Sequence, residues 1–491
     1  MSETAPVGPK KTAKLVLALL LFLCVLIAVG YQLMPFAKSW WEMGYGEPLP
    51  EVKVDEIVAR FDPATQEYYR KVEAQALSAY RANNWWHLRS YFVGRDAVRI
   101  FVCQQVGGDC YREGLLRKAE LYAKRAYLRE NHDPLISAIC DVYVYQDHYP
   151  NNNNSAGELA DHALALSQSA YPAACKMAML TYTVKSFCVA NKQEKVGPKI
   201  ARAFAKFPEL CNGLVAQFGN LVVSGAPSKL MFGCADEIFD VLQPYPDVFK
   251  QVGQQIDPAF EKRPEEKATR ALCLGDFYIN WAWSARGTGW ANTVTRQGWQ
   301  LMSDRIGKAH EILTDAWKAY PKDAAIPTML ITVELGGDGK QQKMEEYFQA
   351  AIADNPAFYA AYHKKMYFLQ PRWHGTVRDV FEFGIQCVKT DRWADRIPLV
   401  MPNGLELIAD QQPEIYAAPG VWKAVSGVYE EFLKRYPSSC GYRTKYLQAA
   451  YVAKQWPTVN SQLAALGDDW DRQELDDETF EKISREAKAH P

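Results

Sequence analysis

The chain has 491 residues, 56 of them basic and 57 acidic, for a formal net charge of -1. That balance argues against a nucleic-acid partner, which calls for a basic surplus or stripe. A hydrophobic fraction of 48% beside 23% charged residues excludes wholesale disorder, and 30 glycines with 27 prolines are too few for a fibrous chain.

The first predicted element is a membrane anchor. Lys14 and Lys38 bracket a stretch without formal charge, and its apolar part runs from Leu15 to Met34. As a helix at about 1.5 Å per residue, it matches the ~30 Å hydrocarbon layer. Trp40 and Trp41 follow as interfacial aromatics. Lys10, Lys11 and Lys14 precede the span, whereas Glu42, Glu47 and Glu51 come after it. The N-terminus is therefore expected in the cytoplasm and the bulk of a single-pass chain outside it. A cleavable signal peptide is the rival reading, with Ala28-Val29-Gly30 as its cleavage site. Tyr31, Gln32 and the continuing Leu33-Met34 favour an uncut anchor.

A Gly/Pro linker follows, and helices are expected from Ala64. Cys103 and Cys110 flank a tight QQVGGD loop that could carry a disulfide in an oxidising compartment. Cys175, Cys188 and Cys273 lie in apolar helical stretches and read as small core residues. Ten cysteines outside the span are many for an extracytoplasmic domain, which counts against the expected orientation.

Beyond this point strand signals are scarce and a helical register recurs. Ala309, Leu313 and Ala316 share one helical face, and Tyr320-Pro321 stops the helix. The same pattern returns in Met344, Phe348, Ala351 and Pro356; in Val196, Ile200, Ala203 and Pro208; in Cys234, Ile238, Val241 and Pro246; and in Val425, Tyr429, Phe432 and Pro437. Weaker copies end at Pro134 and Pro172. The successive proline gaps are 38, 36, 38, 75, 35 and 81 residues. A period near 35 belongs to tetratricopeptide-type hairpins, each of which buries its apolar stripe only against its neighbour. From Gly467 the chain is acidic, and Asp476-Asp477-Glu478 suits the start of a short terminal helix or a fraying tail.

Motifs for chemistry are sparse. The sequence holds no H-E-x-x-H, G-x-S-x-G or G-x-G-x-x-G. Gly336-Gly337-Asp338-Gly339-Lys340 imitates a phosphate loop, but Gln341 replaces the needed Ser or Thr, so it reads as an inter-helix turn. His132-Asp133, Asp141, Asp147-His148 and Asp161-His162 lack a fixed ligand spacing and read as exposed polar residues, so no metal is expected. No cofactor is expected either. Two loops stand out. Arg286-Gly287-Thr288-Gly289-Trp290 follows Trp281 and Trp283, precedes Trp299, and falls where a repeat proline is due. Gln370-Pro371-Arg372-Trp373-His374-Gly375 falls at the inner turn of a unit. Arg and Trp together can hold carboxylates or planar groups. The competing reading packs the Trp rings between units and caps helix ends with the Arg side chains.

These loops carry a resemblance. Arg286-Gly287-Thr288-Gly289, then Gly298-Trp299, then Leu369 to Gly375 resemble the ordered elements of a bacterial family of unknown function built on a tetratricopeptide-like array. The likeness covers Leu272 to Val380 and implies no assigned reaction. Met302, where that family carries an aromatic, and Thr376, where it carries Ser, are departures.

The expected fold is all-α, an α-solenoid of degenerate tetratricopeptide-like hairpins with an N-terminal transmembrane helix. Its parts are a cytoplasmic tail 1–14, an anchor 15–34, a linker 35–63, helical repeats 64–264, a second repeat domain 265–466 and an acidic tail 467–491. The expected function is non-enzymatic: a membrane-anchored scaffold that binds a protein or peptide partner through Arg286, Gly287, Gly289, Trp290, Trp299, Arg372, Trp373 and His374. The alternative is a glycan or cell-envelope binder that stacks sugars on Trp281, Trp283, Trp290 and Trp373. An enzyme built on Arg286, Arg372 and His374 ranks below both, because no nucleophile–base set can be assembled.

Overall fold

The computed structural model describes Leu49 and residues 51–84, 88–107, 115–127, 131, 133–140, 155–192, 205–287, 289, 291–472 and 474–490. The chain divides into two units, Met1–Glu51 and Val52–Pro491, and the second holds every helix described below. The expected anchor at 15–34 lies outside the described residues. Among the described residues no helix is long and apolar enough to cross a membrane.

All regular structure among the described residues is helical. The helices of the N-terminal half are α1 (Val54–Val58), α2 (Pro63–Asn84), α3 (Leu88–Gly107), α4 (Leu115–Tyr127), α5 (Pro134–Ile139), α6 (Ser155–Gln168), α7 (Ala173–Lys192), α8 (Phe207–Val223), α9 (Ser228–Leu242) and α10 (Pro246–Ala259). Those of the C-terminal half are α11 (Lys267–Arg286), α12 (Arg296–Ala319), α13 (Ala325–Gly336), α14 (Gln341–Ala353), α15 (Tyr359–Phe368), α16 (Val377–Lys389), α17 (Val400–Ala409), α18 (Val421–Arg435), α19 (Cys440–Val452), α20 (Trp456–Leu466) and α21 (Asp477–Ala487).

The helices pack on their chain neighbours and on their next-but-one neighbours. Thus α11 pairs with α12, α13 with α14 and α19 with α20, while α7, α9, α11, α13, α15 and α17 form a row in which each touches the next. The apolar seams explain this. Ala309, Leu313 and Ala316 of α12 are buried, as are Met344, Phe348 and Ala351 of α14 and Val425, Tyr429 and Phe432 of α18. No single hairpin encloses these faces, so the next hairpin must. The seven prolines of the register stand at helix boundaries. Pro134 and Pro246 open α5 and α10, Pro208 is the second residue of α8, and Pro172 directly precedes α7. Pro321, Pro356 and Pro437 lie in the turns before α13, α15 and α19. A missing N–H and a fixed φ are tolerated in the first turn of a helix and not inside it. The register at Val196, Ile200 and Ala203 falls outside the described residues. Gly339, with φ 68°, makes the turn between α13 and α14, so the imitation phosphate loop is an inter-helix turn.

Two expectations change, and of the two forms expected for the acidic tail the short terminal helix is the one present. The linker over 35–63 contains α1, whose Val54, Ile57 and Val58 are buried on the face that meets α3. Three apolar residues at helical spacing suffice once a groove is available. The acidic segment after Gly467 packs down: Trp470 and Phe480 stack at 3.8 Å, and Leu475, Ile483 and Ala487 are buried with Leu447 and Val459. It thereby covers the end of the array. Asp133, read as exposed, is buried. It caps α5 through the Leu135 N–H at 2.9 Å and accepts from Tyr171 Oη at 2.8 Å and Asn84 Nδ2 at 2.9 Å. Its donors come from far along the chain, which local sequence cannot reveal.

The buried cysteines Cys175, Cys234, Cys273 and Cys387 act as small apolar residues, and burial pushes the Cys175 and Cys387 thiols up to about 12. Cys103 is buried in α3; the expected bridge to Cys110 and the Cys188 side chain lie outside the described residues.

At the end of the array, Asp476 caps α21. Its carboxylate accepts the Thr479 N–H and hydroxyl, both at 2.8 Å, and these bonds hold its pKa below the usual value. Asp476→Ala is expected to cost about 1 kcal/mol in urea unfolding at neutral pH. Because the folded-state pKa is depressed, the wild-type advantage is present above the unfolded pKa and lost as pH falls through the folded one.

Candidate functional site

The two loops that stand out in sequence meet in space. Helix α11 ends at Gly287, whose φ of 76° reverses the chain while its N–H still reaches the Trp283 carbonyl at 2.9 Å. Arg286 folds back over this turn, and its Nη1 donates to the carbonyls of Gly287 at 3.1 Å and Gly289 at 2.8 Å. Thr295 then caps α12, its Oγ1 accepting the Gly298 N–H at 3.0 Å. A Cβ on Gly298 would stand 2.8 Å from the Ala285 carbonyl oxygen, so glycine there lets the start of α12 close on the end of α11. This closure places Trp299 beside the Arg286 turn.

The second loop arrives from α15. Buried Gln370 donates to the Gly404 carbonyl at 3.1 Å and fixes the loop base. The Trp373 N–H donates to the Gln370 carbonyl at 2.8 Å, and the His374 N–H reaches the Phe368 carbonyl at 3.3 Å. The Trp373 ring meets Trp283 edge-on at 5.4 Å and Tyr367 at 5.9 Å.

The result is a guanidinium ringed by indoles. The Arg286 guanidinium carbon lies 5.7 Å from the centroids of Trp283 and Trp299 and 6.0 Å from Trp373. A second guanidinium, Arg372, lies 5.0 Å from Tyr367 and 5.7 Å from Trp373, and its Nη2 donates to Tyr367 Oη at 2.9 Å. Among the described residues neither arginine forms an ion pair; their hydrogen bonds go to carbonyls and a phenol. The guanidinium N–H groups not used in these bonds can meet a carboxylate or another planar acceptor.

Trp299, 41% exposed, connects this cluster to a cleft of about 540 Å³. Met302, Ile306, Val333 and Tyr347 give the cleft apolar walls, and His310, Glu334, Lys340 and Lys343 give it polar ones. Sequence reasoning missed the cleft and Tyr367. Met302, buried, is one of the residues that line the cleft with Trp299.

The other expected site residues are placed differently. His374 does not face the cluster: its Nε2 lies 3.0 Å from the Leu335 carbonyl, its ring packs on Phe368 at 4.7 Å, and it fills the space over Gly339. It fastens the loop to the α13–α14 turn. Gly287 and Gly289 are exposed and serve the site through their carbonyls. Trp281 points elsewhere, stacking on Phe277 at 5.4 Å with the Arg305 guanidinium 3.9 Å from its ring centroid. Trp290 and Thr288 lie outside the described residues. So do His132, Asp141, Asp147 and His148; Asp161 sits on α6 in an ion pair with Lys206. Among the described residues no His, Cys, Asp or Glu cluster is arranged to hold a metal ion.

Neither a protein-family model nor a curated protein matches the chain.

Proposed function

We propose that the chain is a tetratricopeptide-like α-solenoid that binds a protein or peptide partner at the Arg286–Trp373 cluster and the cleft beside Trp299. The observation that carries this reading is the convergence of two loops, far apart in sequence, on two guanidiniums that have no carboxylate partner among the described residues. The aromatic faces next to them supply apolar contact, and the cleft supplies room for a side chain. Next-but-one helix packing and boundary prolines support the repeat assignment, as does the resemblance to a bacterial family of unknown function. The apolar stretch 15–34, with Lys10, Lys11 and Lys14 before it, supports a single-pass anchor with the array outside the cytoplasm.

The exposed Trp299 face also suits a sugar ring, which favours a glycan as the second reading. Peptide and oligosaccharide arrays probed with the full chain separate the two. The expected hits are peptides with a carboxylate next to an aromatic or aliphatic side chain. Arg286→Ala should weaken them at least tenfold, about 1.4 kcal/mol or more. Gly307→Trp should block them as well, because a Cβ at Gly307 meets open space and the new ring would enter the cleft without disturbing the helix. Oligosaccharide hits alone, or peptide binding indifferent to both changes, would defeat the peptide reading.

A further inference from the structure

A second polar feature lies on the helix row, away from the Trp–Arg loops and independent of the reading given to them. Packing of α9 against α11 brings the carboxyl groups of Asp236 and Asp276 within hydrogen-bond reach of one another. Asp276 is only 4% exposed. Its Oδ1 accepts from Asn280 Nδ2 at 3.0 Å, whereas its Oδ2 meets no donor. Asp236 reaches solvent, as do its neighbours Glu237 and Asp240 on the same helix. The opposing charges are Lys364 of α15, which acts on both aspartates, and Lys185 of α7, which acts on Glu237. Among the described residues neither lysine forms an ion pair with these acids. Four carboxyl groups thus face two lysines at a distance, and one buried oxygen lacks a donor.

We propose that the Asp236–Asp276 pair is the receptor for a cationic side chain, a lysine ammonium or an arginine guanidinium, on a polypeptide segment lying along this helix row. An ammonium brings three donors and a guanidinium five, enough to reach both carboxyl groups at once. The local charge is complementary to such a group. Two carboxyl groups this close join by a hydrogen bond only with a proton between them, and burial, the largest influence on both, raises their pKa values. Asp236 is the half of the pair that solvent reaches. An entering cation takes over the donor role, and the proton leaves to buffer.

Calorimetric titration of the full chain tests this with blocked pentalysine, blocked pentaserine and 1,4-diaminobutane as probes. The expected result is binding of pentalysine alone, with a binding enthalpy that differs between Tris and phosphate buffers because a proton is released. Affinity should fall at least tenfold in both Asp236→Asn and Asp276→Asn, fall again on acidification to pH 5, and stay unchanged in Glu431→Gln, which removes a surface acid elsewhere. Wild-type affinity in either aspartate variant, equal loss in Glu431→Gln, or binding without proton release would overturn the proposal. Diaminobutane binding as tightly as pentalysine would overturn its polypeptide occupant.

Discussion

Gly375→Ala is expected to cost about 3 kcal/mol of stability and to release the second loop from the Trp cluster. A Cβ at this position would stand 2.3 Å from the Leu369 carbonyl oxygen and 2.7 Å from the Leu369 Cα. Both are backbone atoms, so no side-chain rotation relieves the clash. The Leu369–Gly375 turn must open, and three contacts depend on its closure: the Trp373 N–H to Gln370, the Trp283–Trp373 edge contact, and the His374 anchor on the Leu335 carbonyl. Urea unfolding reads the stability, and tryptophan emission reads the loop. A red shift with a lower unfolding midpoint is expected; an unchanged midpoint would mean the turn is not held closed as described.

Asp276→Asn is expected to move stability the other way, raising it by more than about 1 kcal/mol at pH 7, because the amide supplies the donor without the uptake of a proton. The amide is nearly isosteric with the acid, keeps the acceptor for Asn280, and offers an N–H to Asp236. The pH dependence has a definite sign. Burial and the neighbouring Asp236 raise the Asp276 pKa in the folded state. Between the unfolded pKa of about 3.9 and that raised value the native state binds more protons, so wild-type stability falls as pH rises through this window. The asparagine variant loses that dependence. Its advantage should therefore shrink as pH falls toward 4, measured by urea unfolding across pH; an advantage constant in pH would refute the shared-proton description.

The seams were legible because they are local. Ala309, Leu313 and Ala316 announce one helical face by spacing alone, and Pro321 announces its end. The two loops were also visible, since clustered Gly, Trp and Arg have few structural uses. What local pattern could not give is which partners meet. Trp281 and Trp283 stand two residues apart, about 200° around a helix, so one joins the Phe277 stack and the other the Arg286 cluster. His374 and Arg372 look alike as candidates, yet one is fastened inward and the other exposed. Asp276 reads as one acid within an ordinary helix until α9 delivers Asp236 to it.

That a partner polypeptide enters the cleft beside Trp299 can be tested by photocrosslinking from Ser303, an exposed residue of its wall. With benzoylphenylalanine at that position in cells, a discrete crosslinked protein product is expected, and it should disappear when Arg286 and Arg372 are both changed to alanine. No product, or one that persists in the double variant, would contradict the assignment of this cluster as the binding site.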